Sequence, residues 1–277
     1  MKPKLILHGG AGSRKGTQIG KAFIKNIYLQ AEAYLKAHSA LETVIYAVSL
    51  LEDCEYFNAG TGSKLQQDGK ARMSASVMDG RLQKFAAVIN IENVKNPVQV
   101  ARLLLEEKDH VLCGNFATHY ARKKGFDFYD PVTLRQQKIW RKKFNVSVYG
   151  TVGAVALDAN GNLAVATSTG GRGHELPGRV SDSAMPCGNY ANADAAVSCT
   201  GIGEQIIHES LASKIVIRVT DGASLKQAFQ KSFKTVRDKK YEIGAIGISK
   251  KGDIVCDTTT THLSAAYRSS KQKLLIQ

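Results

Sequence analysis

The stretch that decides the fold is GTVGAVALDANGNLAVATSTGG, residues 150–171. Two short apolar runs, 154–157 and 163–166, flank Asn160-Gly161. Asn-Gly between two such runs is a strong signal for a tight β-hairpin. In a hairpin, the start of the first strand lies beside the end of the second. The sequence therefore predicts a hairpin whose two open ends meet.

At those open ends the sequence places Thr151 and the hydroxyl cluster Thr167-Ser168-Thr169. A hydroxyl needs a base to become a nucleophile, and neither His nor Lys is close to Thr151 in the chain. Cutting the Gly150–Thr151 bond would supply an α-amino group of pKa roughly 7.7–8.0, which suits a general base near neutral pH. The alternative is that Thr151 simply opens a strand, where β-branched residues are common. The hairpin alone leaves both interpretations open.

The wider motif pattern resembles the plant-type L-asparaginases, also called isoaspartyl peptidases. The resemblance is carried by LHGGAG at 7–12, FNAGTGS at 57–63, SVMDG at 76–80, GTVG at 150–153, TSTGG at 167–171, GRVSDS at 178–183 and SCTGIGE at 198–204. These motifs span nearly the whole chain, and a threonine preceded by glycine stands among them. The resemblance implies an N-terminal nucleophile hydrolase, a class of enzymes that cut themselves to expose the catalytic residue.

For the whole chain, the resemblance implies an α+β fold, the four-layer αββα sandwich of N-terminal nucleophile hydrolases. The pairing of predicted strands, flanked by pairs of predicted helices, agrees with that architecture. Residues 1–277 would form a single hydrolase domain that cleaves itself at Gly150–Thr151 into an α subunit, 1–150, and a β subunit, 151–277. The expected partners are a small amino-acid or dipeptide substrate and a second αβ unit in a homodimer. The expected substrates are L-asparagine and β-aspartyl dipeptides.

The resemblance also assigns the site residues. Thr151 would be the nucleophile, and Thr169 would hydrogen-bond and orient it. The oxyanion hole would use the Thr200 side chain and the Gly201 backbone N–H, at a strand-to-helix junction suited to negative charge. The substrate-binding residues would be Asn58, Arg179, Asp182 and Gly203.

Arg179 and Asp182 stand on one turn, where they could simply pair with each other. In the functional interpretation they read the carboxylate and the ammonium of an amino-acid substrate. No cofactor is expected for catalysis. A structural sodium ion is implied by resemblance, held through the main-chain carbonyls of Leu51, Glu52, Cys54, Phe57, Ala59 and Thr61.

Composition bounds these expectations. At 277 residues with 43% hydrophobic content, the chain is long enough to bury a substantial core. No apolar run is long enough to span a bilayer, and the apolar stretch at the N-terminus is too short for a signal peptide, so a cytoplasmic protein without membrane contact is expected. A net charge of +14 favours anionic partners, but no nucleic-acid-binding motif accompanies it, so nucleic acid is not an expected partner.

Other candidates for chemistry are set aside. The five cysteines show neither C-x-x-C spacing nor a Cys/His cluster, so Cys187 and Cys199 are expected to be buried thiols rather than nucleophiles. His8 is expected to be a hydrogen-bonded core residue. The run 258–261 and His262 are expected on an edge-strand surface. The remaining periodicity predicts helices over 19–37, 40–53, 97–107, 131–143, 204–219 and 224–238.

Two other functions remain open at this stage. One is a glycosylasparaginase-type hydrolase, which would share the fold and nucleophile but remove sugar-linked asparagine. The absence of a secretion signal and the valine at position 152 count against it. The other is a catalytically silent basic scaffold that binds nucleic acid, which predicts salt-dependent retention of RNA or DNA and no release of aspartate.

Overall fold

A computed structural model describes residues 1–12, 17–142 and 150–277 of the chain. Its strands are β1 (Lys4–Gly12), β2 (Met73–Asp79), β3 (Lys84–Ile91), β4 (Val111–Cys113), β5 (Val152–Leu157), β6 (Leu163–Thr169), β7 (Asn189–Ala191), β8 (Ala195–Gly201), β9 (Ile243–Ser249), β10 (Ile254–Thr258), β11 (His262–Arg268) and β12 (Leu274–Ile276). Its α-helices are α1 (Thr17–Leu35), α2 (Ala40–Glu52), α3 (Pro97–Leu103), α4 (Gly114–Lys123), α5 (Leu134–Arg141), α6 (Gly203–Glu209), α7 (Leu211–Thr220) and α8 (Leu225–Asp238).

The predicted hairpin is confirmed as the antiparallel pair β5–β6. Its register runs from Val152 opposite Ser168 to Leu157 opposite Leu163. Between the strands, the Asp158 carboxylate accepts hydrogen bonds at 2.9 Å from the backbone N–H groups of Asn160 and Asn162. Gly161 has a φ of +82°, a conformation in which glycine lacks the steric cost that other residues carry. Turn chemistry readable in the sequence therefore sets this register.

The strands form two sheets. The larger has eight strands in the order β12-β11-β1-β5-β6-β2-β3-β4, and the smaller has four in the order β10-β9-β8-β7. Every registered pair is antiparallel except β3 with β4. The hairpin thus occupies the middle of the larger sheet, where both of its strands have neighbours on each side.

Buried apolar side chains form three clusters. The first joins helices α1–α4 to the larger sheet and includes Tyr28 and Phe57. The second joins α6–α8 to the smaller sheet around Phe229 and Phe233. The third joins residues of the two sheets to each other, with Val155 of β5 among its members. Each sheet therefore buries apolar residues on both of its faces, as the continuous apolar runs in β5 and β6 require.

Helix starts follow their sequence signals. Ser39 and Ser224 are the N-caps of α2 and α8, and each forms a reciprocal capping box with Glu42 and Gln227, respectively. The predicted helix over 97–107 is α for its first part and ends in a 3-10 turn at Leu104–Glu106. The helix predicted over 131–143 is α5, which starts later because Thr133 is its N-cap.

The prediction of a single helix over 204–219 is wrong. The segment forms two helices, α6 and α7, with Ser210 between them in the left-handed conformation at a φ of 47°. Neither glycine nor proline marks this break. Tertiary contacts support it: the Ala212 N–H, which lacks an intrahelical partner in the first turn of α7, donates to the Cys187 carbonyl at 2.9 Å.

The expectation for 258–262 needs correction as well. Thr258 does end an edge strand, β10, but His262 begins β11, which is paired on both sides by β1 and β12. Residues 259–261 line a cleft described below. Within the described ranges, no helix is long and apolar enough to cross a membrane. Residues 143–149, which precede the predicted cleavage site, lie outside those ranges.

Candidate active site

A cleft of about 540 Å³ lies where the ends of β1, β5, β6 and β8 come together. Seven of the eight predicted catalytic and substrate-binding residues line it: Asn58, Thr151, Thr169, Arg179, Asp182, Gly201 and Gly203. The eighth, Thr200, is fully buried and precedes the lining residue Gly201. The structure thus brings together residues that are far apart in the sequence.

Thr151 stands just before β5, with only 7% of its surface exposed. Its hydroxyl donates to Thr169 Oγ1, at the end of β6, over an oxygen–oxygen distance of 3.3 Å. Thr169 Oγ1 in turn accepts from the Gly171 N–H at 3.1 Å. The prediction that Thr151 and Thr169 lie side by side is confirmed, since the hairpin register places the two side chains together.

A second hydroxyl near Thr151 was missed. Ser183 Oγ lies 3.4 Å from Thr151 Oγ1. The Ser181 hydroxyl accepts from the Ser183 N–H at 3.2 Å, and the Ser76 hydroxyl donates to the Ser183 carbonyl at 2.5 Å. The only signal for this residue in the sequence was its place at the end of the motif GRVSDS. Three hydroxyls therefore converge, two on the cleft wall and the Ser183 hydroxyl buried behind it.

The bond before Thr151 is tightly enclosed. Gly10 has a φ of +112°, and a Cβ there would lie 2.3 Å from the Gly150 nitrogen, so only glycine fits. On another side of Gly150, Thr200 Oγ1 lies 3.5 Å from an ideal Cβ position, and it accepts from the Ala11 N–H at 3.2 Å. The C-terminal part of β1 and the end of β8 therefore enclose the Gly150–Thr151 bond between them.

Gly201 and Gly203 leave space for neighbouring groups. Gly201 has a φ of +130°, and a Cβ on it would lie 2.4 Å from the Glu242 carbonyl oxygen. A Cβ on Gly203 would lie 2.6 Å from Arg179 Nη2 and 2.7 Å from Asp182 Oδ1. The first glycine begins the junction between β8 and α6, and the second lets two charged side chains approach its backbone.

Arg179 pairs with a partner that the sequence did not indicate. Its Nε and Nη2 each donate to a different oxygen of Glu204 at 2.9 Å, a bidentate ion pair. The simple pairing of Arg179 with Asp182 is not what the structure shows. Glu204 is the last residue of the motif SCTGIGE. It lies 25 residues after Arg179 in the chain, and this separation gave no indication of contact.

Asp182 is buried, with 2% of its surface exposed. Burial raises the pKa of this carboxyl group to about 6, against the opposing attraction of the Arg179 charge. Its Oδ1 accepts from the Ser181 hydroxyl at 3.2 Å, whereas Oδ2 has no hydrogen-bond partner among the described protein groups. Asp182 thus supplies the cleft with a buried acidic group beside Gly203.

Both the amide nitrogen and the amide oxygen of Asn58 form hydrogen bonds with the backbone. Its Nδ2 donates to the Gly171 carbonyl at 2.5 Å, and its Oδ1 accepts from the Lys64 N–H at 2.9 Å. The side chain is 3% exposed and lines the cleft. Asn58 therefore ties the glycine pair after β6 to the loop that carries Lys64.

His8 is a buried core residue, as predicted. Its Nε2 is 2.8 Å from Ser198 Oγ, which is in turn 2.8 Å from Thr167 Oγ1. Burial lowers the pKa of the imidazole to about 3, and a hydrogen bond with the Thr151 backbone opposes this only in part. The ring is therefore neutral at physiological pH and forms part of a polar network behind the hairpin.

The two cysteines near the site are not activated. Burial raises the pKa of Cys187 to about 12 and raises that of Cys199 as well. A thiolate is therefore disfavoured at both positions.

The loop proposed from resemblance to hold sodium runs from the end of α2 through Thr61. The carbonyls of Glu52 and Cys54 accept backbone hydrogen bonds at 2.8 and 3.0 Å and each keeps a second lone pair, whereas the Leu51 carbonyl accepts from both Asp53 and Cys54. A Cβ on Gly60 would lie 2.5 Å from the Glu52 carbonyl oxygen, so the loop closes tightly around that oxygen. Crowded carbonyls of this kind fit a hard monovalent cation. The described residues contain no cluster of three His, Cys, Asp or Glu side chains that could hold another metal.

Several cleft residues were not predicted to belong to the site. Lys64 and Arg172 line the cleft, as do residues 259–261, which were expected on an edge-strand surface. Their positions depend on loops that meet only after folding, and no motif in the sequence marks them as a set.

The chain belongs to the asparaginase family of hydrolases named Asparaginase_2. The model of that family, described as asparaginase, matches residues 1–148 and 137–276. The resemblance drawn from the seven motifs is thereby confirmed.

Three named relatives are similar over nearly the full chain. The isoaspartyl peptidase/L-asparaginase of Synechocystis is 44% identical, over 97% of this chain and 88% of that protein. The plant-type L-asparaginase of Pyrococcus furiosus is 36% identical, over 97% of each chain. The isoaspartyl peptidase of Escherichia coli is 36% identical, over 96% of this chain and 92% of that protein.

Proposed function

We propose that this protein is a self-processing threonine hydrolase that cleaves L-asparagine to aspartate and ammonia and also cleaves β-aspartyl dipeptides. One observation carries the proposal: the nearly buried Thr151 hydroxyl, directly after Gly150, donates to Thr169 at the wall of a cleft that also contains Arg179 and Asp182. The names of the relatives support the choice of substrates.

The first stage is self-cleavage. Thr151 Oγ1 attacks the Gly150 carbonyl carbon, the C–N bond breaks, and the hydroxyl proton passes to the departing nitrogen. The resulting ester joins Gly150 to Thr151 Oγ1. Water hydrolyses the ester, which leaves a carboxylate on Gly150 and restores the hydroxyl. The close approach of Gly10 to Gly150 supports this step, because a bond held between two rigid segments can be kept in an attack geometry.

The second stage uses the amine that cleavage releases. The Thr151 amino group accepts the hydroxyl proton, and Oγ1 attacks the β-carbonyl of the substrate. The Thr200 hydroxyl and the Gly201 N–H would stabilise the oxyanion. The proton then goes to the leaving ammonia or amino acid, and water releases aspartate from the acyl-enzyme. Thr169 and Ser183 would orient the nucleophile, since both of their hydroxyls lie within 3.4 Å of it.

Substrate recognition would use charges of opposite sign. Asp182, which lines the cleft, would accept from the substrate ammonium. Arg179 would bind the α-carboxylate through guanidinium donors that Glu204 leaves free, and Glu204 would hold the guanidinium in a single orientation. Gly203 and Asn58 would complete this part of the cleft wall.

The finer architecture is part of the same proposal. A four-layer αββα sandwich is supported by the three apolar clusters. One lies between each sheet and its helices, and the third lies between the two sheets. Assembly of two αβ units into a dimer would cover some of the exposed apolar side chains, such as Phe116, Phe128 and Leu134. Sedimentation of the mature protein at several concentrations tests the dimer.

We also propose that sodium binds the main-chain carbonyls of Leu51, Glu52, Cys54, Phe57, Ala59 and Thr61. The ion would supply charge that holds the loop closed, and it would take no part in bond breaking. The Glu52 side chain would help, because it accepts from the Val98 N–H at 3.1 Å and from the Ser168 hydroxyl at 2.6 Å and so fixes the loop against β6.

The deciding experiment is the intact mass and N-terminal sequence of purified protein after incubation at neutral pH. We expect two chains, one of which begins Thr151-Val152-Gly153. The mature protein is then assayed with L-asparagine, with a β-aspartyl dipeptide and with sugar-linked asparagine. A single stable chain that releases no aspartate contradicts the proposal, and exclusive action on sugar-linked asparagine favours the glycosylasparaginase-type alternative.

A further inference from the structure

Lys64 is a cation in the cleft that neither stage of the proposed mechanism uses. It lines the same cleft as Thr151 and is half-buried. Its backbone is linked to the nucleophile by a chain of hydrogen bonds. The Lys64 N–H donates to Asn58, Asn58 donates to the Gly171 carbonyl, and Thr169 accepts from both the Gly171 N–H and the Thr151 hydroxyl. Lys64 is thus built into the wall beside the reacting hydroxyl.

The Lys64 ammonium has donors to spare. Its one hydrogen bond to a described group is to the Arg172 carbonyl at 3.2 Å, although an ammonium carries three donors. It forms no ion pair with any carboxylate in residues 1–12, 17–142 or 150–277. The nearby Glu175 acts on it only as a more distant charge, and Glu175 Oε1 accepts instead from the Arg172 N–H at 3.0 Å.

The other two cations that line the cleft, Arg179 and Arg172, both lie close to the Glu204 carboxylate. Arg179 holds Glu204 in a bidentate pair, and Arg172 Nη1 lies 3.9 Å from the same carboxylate. Burial lowers the pKa of Lys64, and the charge of the nearby Glu175 opposes this only in part. An anion bound beside it would restore that lost stabilisation.

The chemistry of the substrates indicates which anion this is. Asparagine carries one carboxylate and one ammonium, and Arg179 and Asp182 are enough to bind these two groups. A β-aspartyl dipeptide carries a second carboxylate on its leaving amino acid, a few bonds from the carbonyl that Thr151 attacks. A further cation on the wall of the cleft can pair with that carboxylate, and Lys64 is a cation without a carboxylate partner among the described residues.

We propose that Lys64 binds the α-carboxylate of the leaving amino acid, so that the site favours β-aspartyl dipeptides with a free C-terminal carboxylate over those in which it is blocked. This inference rests on the proposed hydrolase function. Lys64 is a specificity-determining residue in this account and takes no part in proton transfer.

Lys64 also has a structural contact that the test must separate. Its aliphatic stem packs beside Gly173, where an added Cβ would lie 3.1 Å from Lys64 Cδ. Lys64→Met keeps most of that stem and removes the charge. Lys64→Arg keeps a cation. Lys70→Gln is the matched control, because it removes an equal charge from an exposed residue of the same segment.

The experiment measures kcat/KM of the mature, self-cleaved protein for β-aspartyl-leucine and for β-aspartyl-leucinamide, which lacks the second carboxylate. For the unaltered protein and for Lys70→Gln, we expect the acid to be favoured about tenfold, as a charge-assisted hydrogen bond implies. In Lys64→Met the ratio should fall to about one, chiefly through KM for the acid, and Lys64→Arg should restore most of it.

An unchanged acid-to-amide ratio in Lys64→Met overturns the inference, whether or not both rates fall together, since equal losses indicate a structural role only. The absence of an acid preference in the unaltered protein overturns it too. If the unaltered protein self-cleaves but hydrolyses neither the dipeptides nor L-asparagine, the proposed function itself fails, and this inference fails with it. Activity on asparagine therefore distinguishes the two failures.

Discussion

The hydroxyl cluster around Thr151 and the charged cluster around Arg179 share one cleft but are positioned by different means. Thr151 and Thr169 meet because the register of one hairpin places them together, and glycine at position 10 lets the backbone close over the bond to be cut. Arg179 and Asp182 are positioned by side-chain contacts and by burial, with Glu204 as the partner that orients the guanidinium.

This difference indicates how each cluster should respond to mutation and to pH. The hydroxyl cluster depends on backbone geometry and on neutral hydrogen bonds, so it should respond to the loss of single oxygen atoms. After self-cleavage, the one group of this cluster that titrates near neutral pH is the Thr151 amine, the base of the second stage. The charged cluster depends on the ionisation of a buried carboxyl group, so it should respond to pH and should affect binding more than chemistry. The following predictions test that division.

The largest effect is expected from Thr151→Ala. Without the hydroxyl, neither the attack on Gly150 nor the attack on substrate can occur. We expect a single uncut chain and a loss of at least about four orders of magnitude in asparagine hydrolysis. Mass spectrometry and aspartate release measure the two stages separately. Thr151→Ser serves as the control, because it keeps the attacking oxygen and should cut itself, and full turnover by Thr151→Ala would refute the assignment.

Arg179→Ala should separate the two clusters. Self-cleavage needs no substrate carboxylate, so the chain should still be cut at Gly150–Thr151. The KM for L-asparagine should rise about 100-fold, because a bidentate cation is lost and Glu204 is left without its partner. Arg179→Lys should recover only part of this, since an ammonium lacks the planar fork. If Arg179→Ala instead blocks self-cleavage, the two clusters are not independent.

The pH dependence of binding should follow Asp182. The pKa of this carboxyl group is raised to about 6, so it is charged above pH 6 and becomes neutral as the pH falls through that value. Since only the charged form pairs with the substrate ammonium, L-aspartate should bind about tenfold more weakly at pH 5 than on the plateau above pH 7. Calorimetry on the mature protein measures the dissociation constant. Asp182→Asn should bind weakly with a flat profile, and a steep profile in that variant would assign the titration to another group.

The smallest effect is expected from Ser183→Ala. Its hydroxyl lies 3.4 Å from Thr151 Oγ1, which is long for a hydrogen bond between two neutral hydroxyls. We expect kcat to fall by roughly threefold to tenfold with KM nearly unchanged. Thr169→Ala, which removes the 3.3 Å contact and also the acceptor for Gly171 N–H, should be more severe under the same assay. Equal effects would mean that Thr169 has no special part in orienting the nucleophile.

The sequence predicted much of the fold because its signals there are local. The Asn160-Gly161 turn, the capping serines Ser39 and Ser224, and the alternation of apolar runs with glycine-rich turns each act within a few residues. The break at Ser210 was missed because it carries no local signal. It depends instead on contacts such as that of Ala212 with Cys187, and on the buried Glu209 carboxylate held by Lys214 and Lys239.

By itself, the sequence determined the hairpin, the threonine that opens it after a glycine, and the family to which the chain belongs. Only the tertiary structure decided that Ser183 joins the hydroxyl cluster, that Glu204 rather than Asp182 pairs with Arg179, and that Lys64 faces the cleft without a carboxylate partner among the described residues. The physical reason is range. A turn or a cap is a contact between near neighbours in the chain, whereas these partners belong to separate loops and helices whose side chains meet only when the strands that carry them have been brought into register.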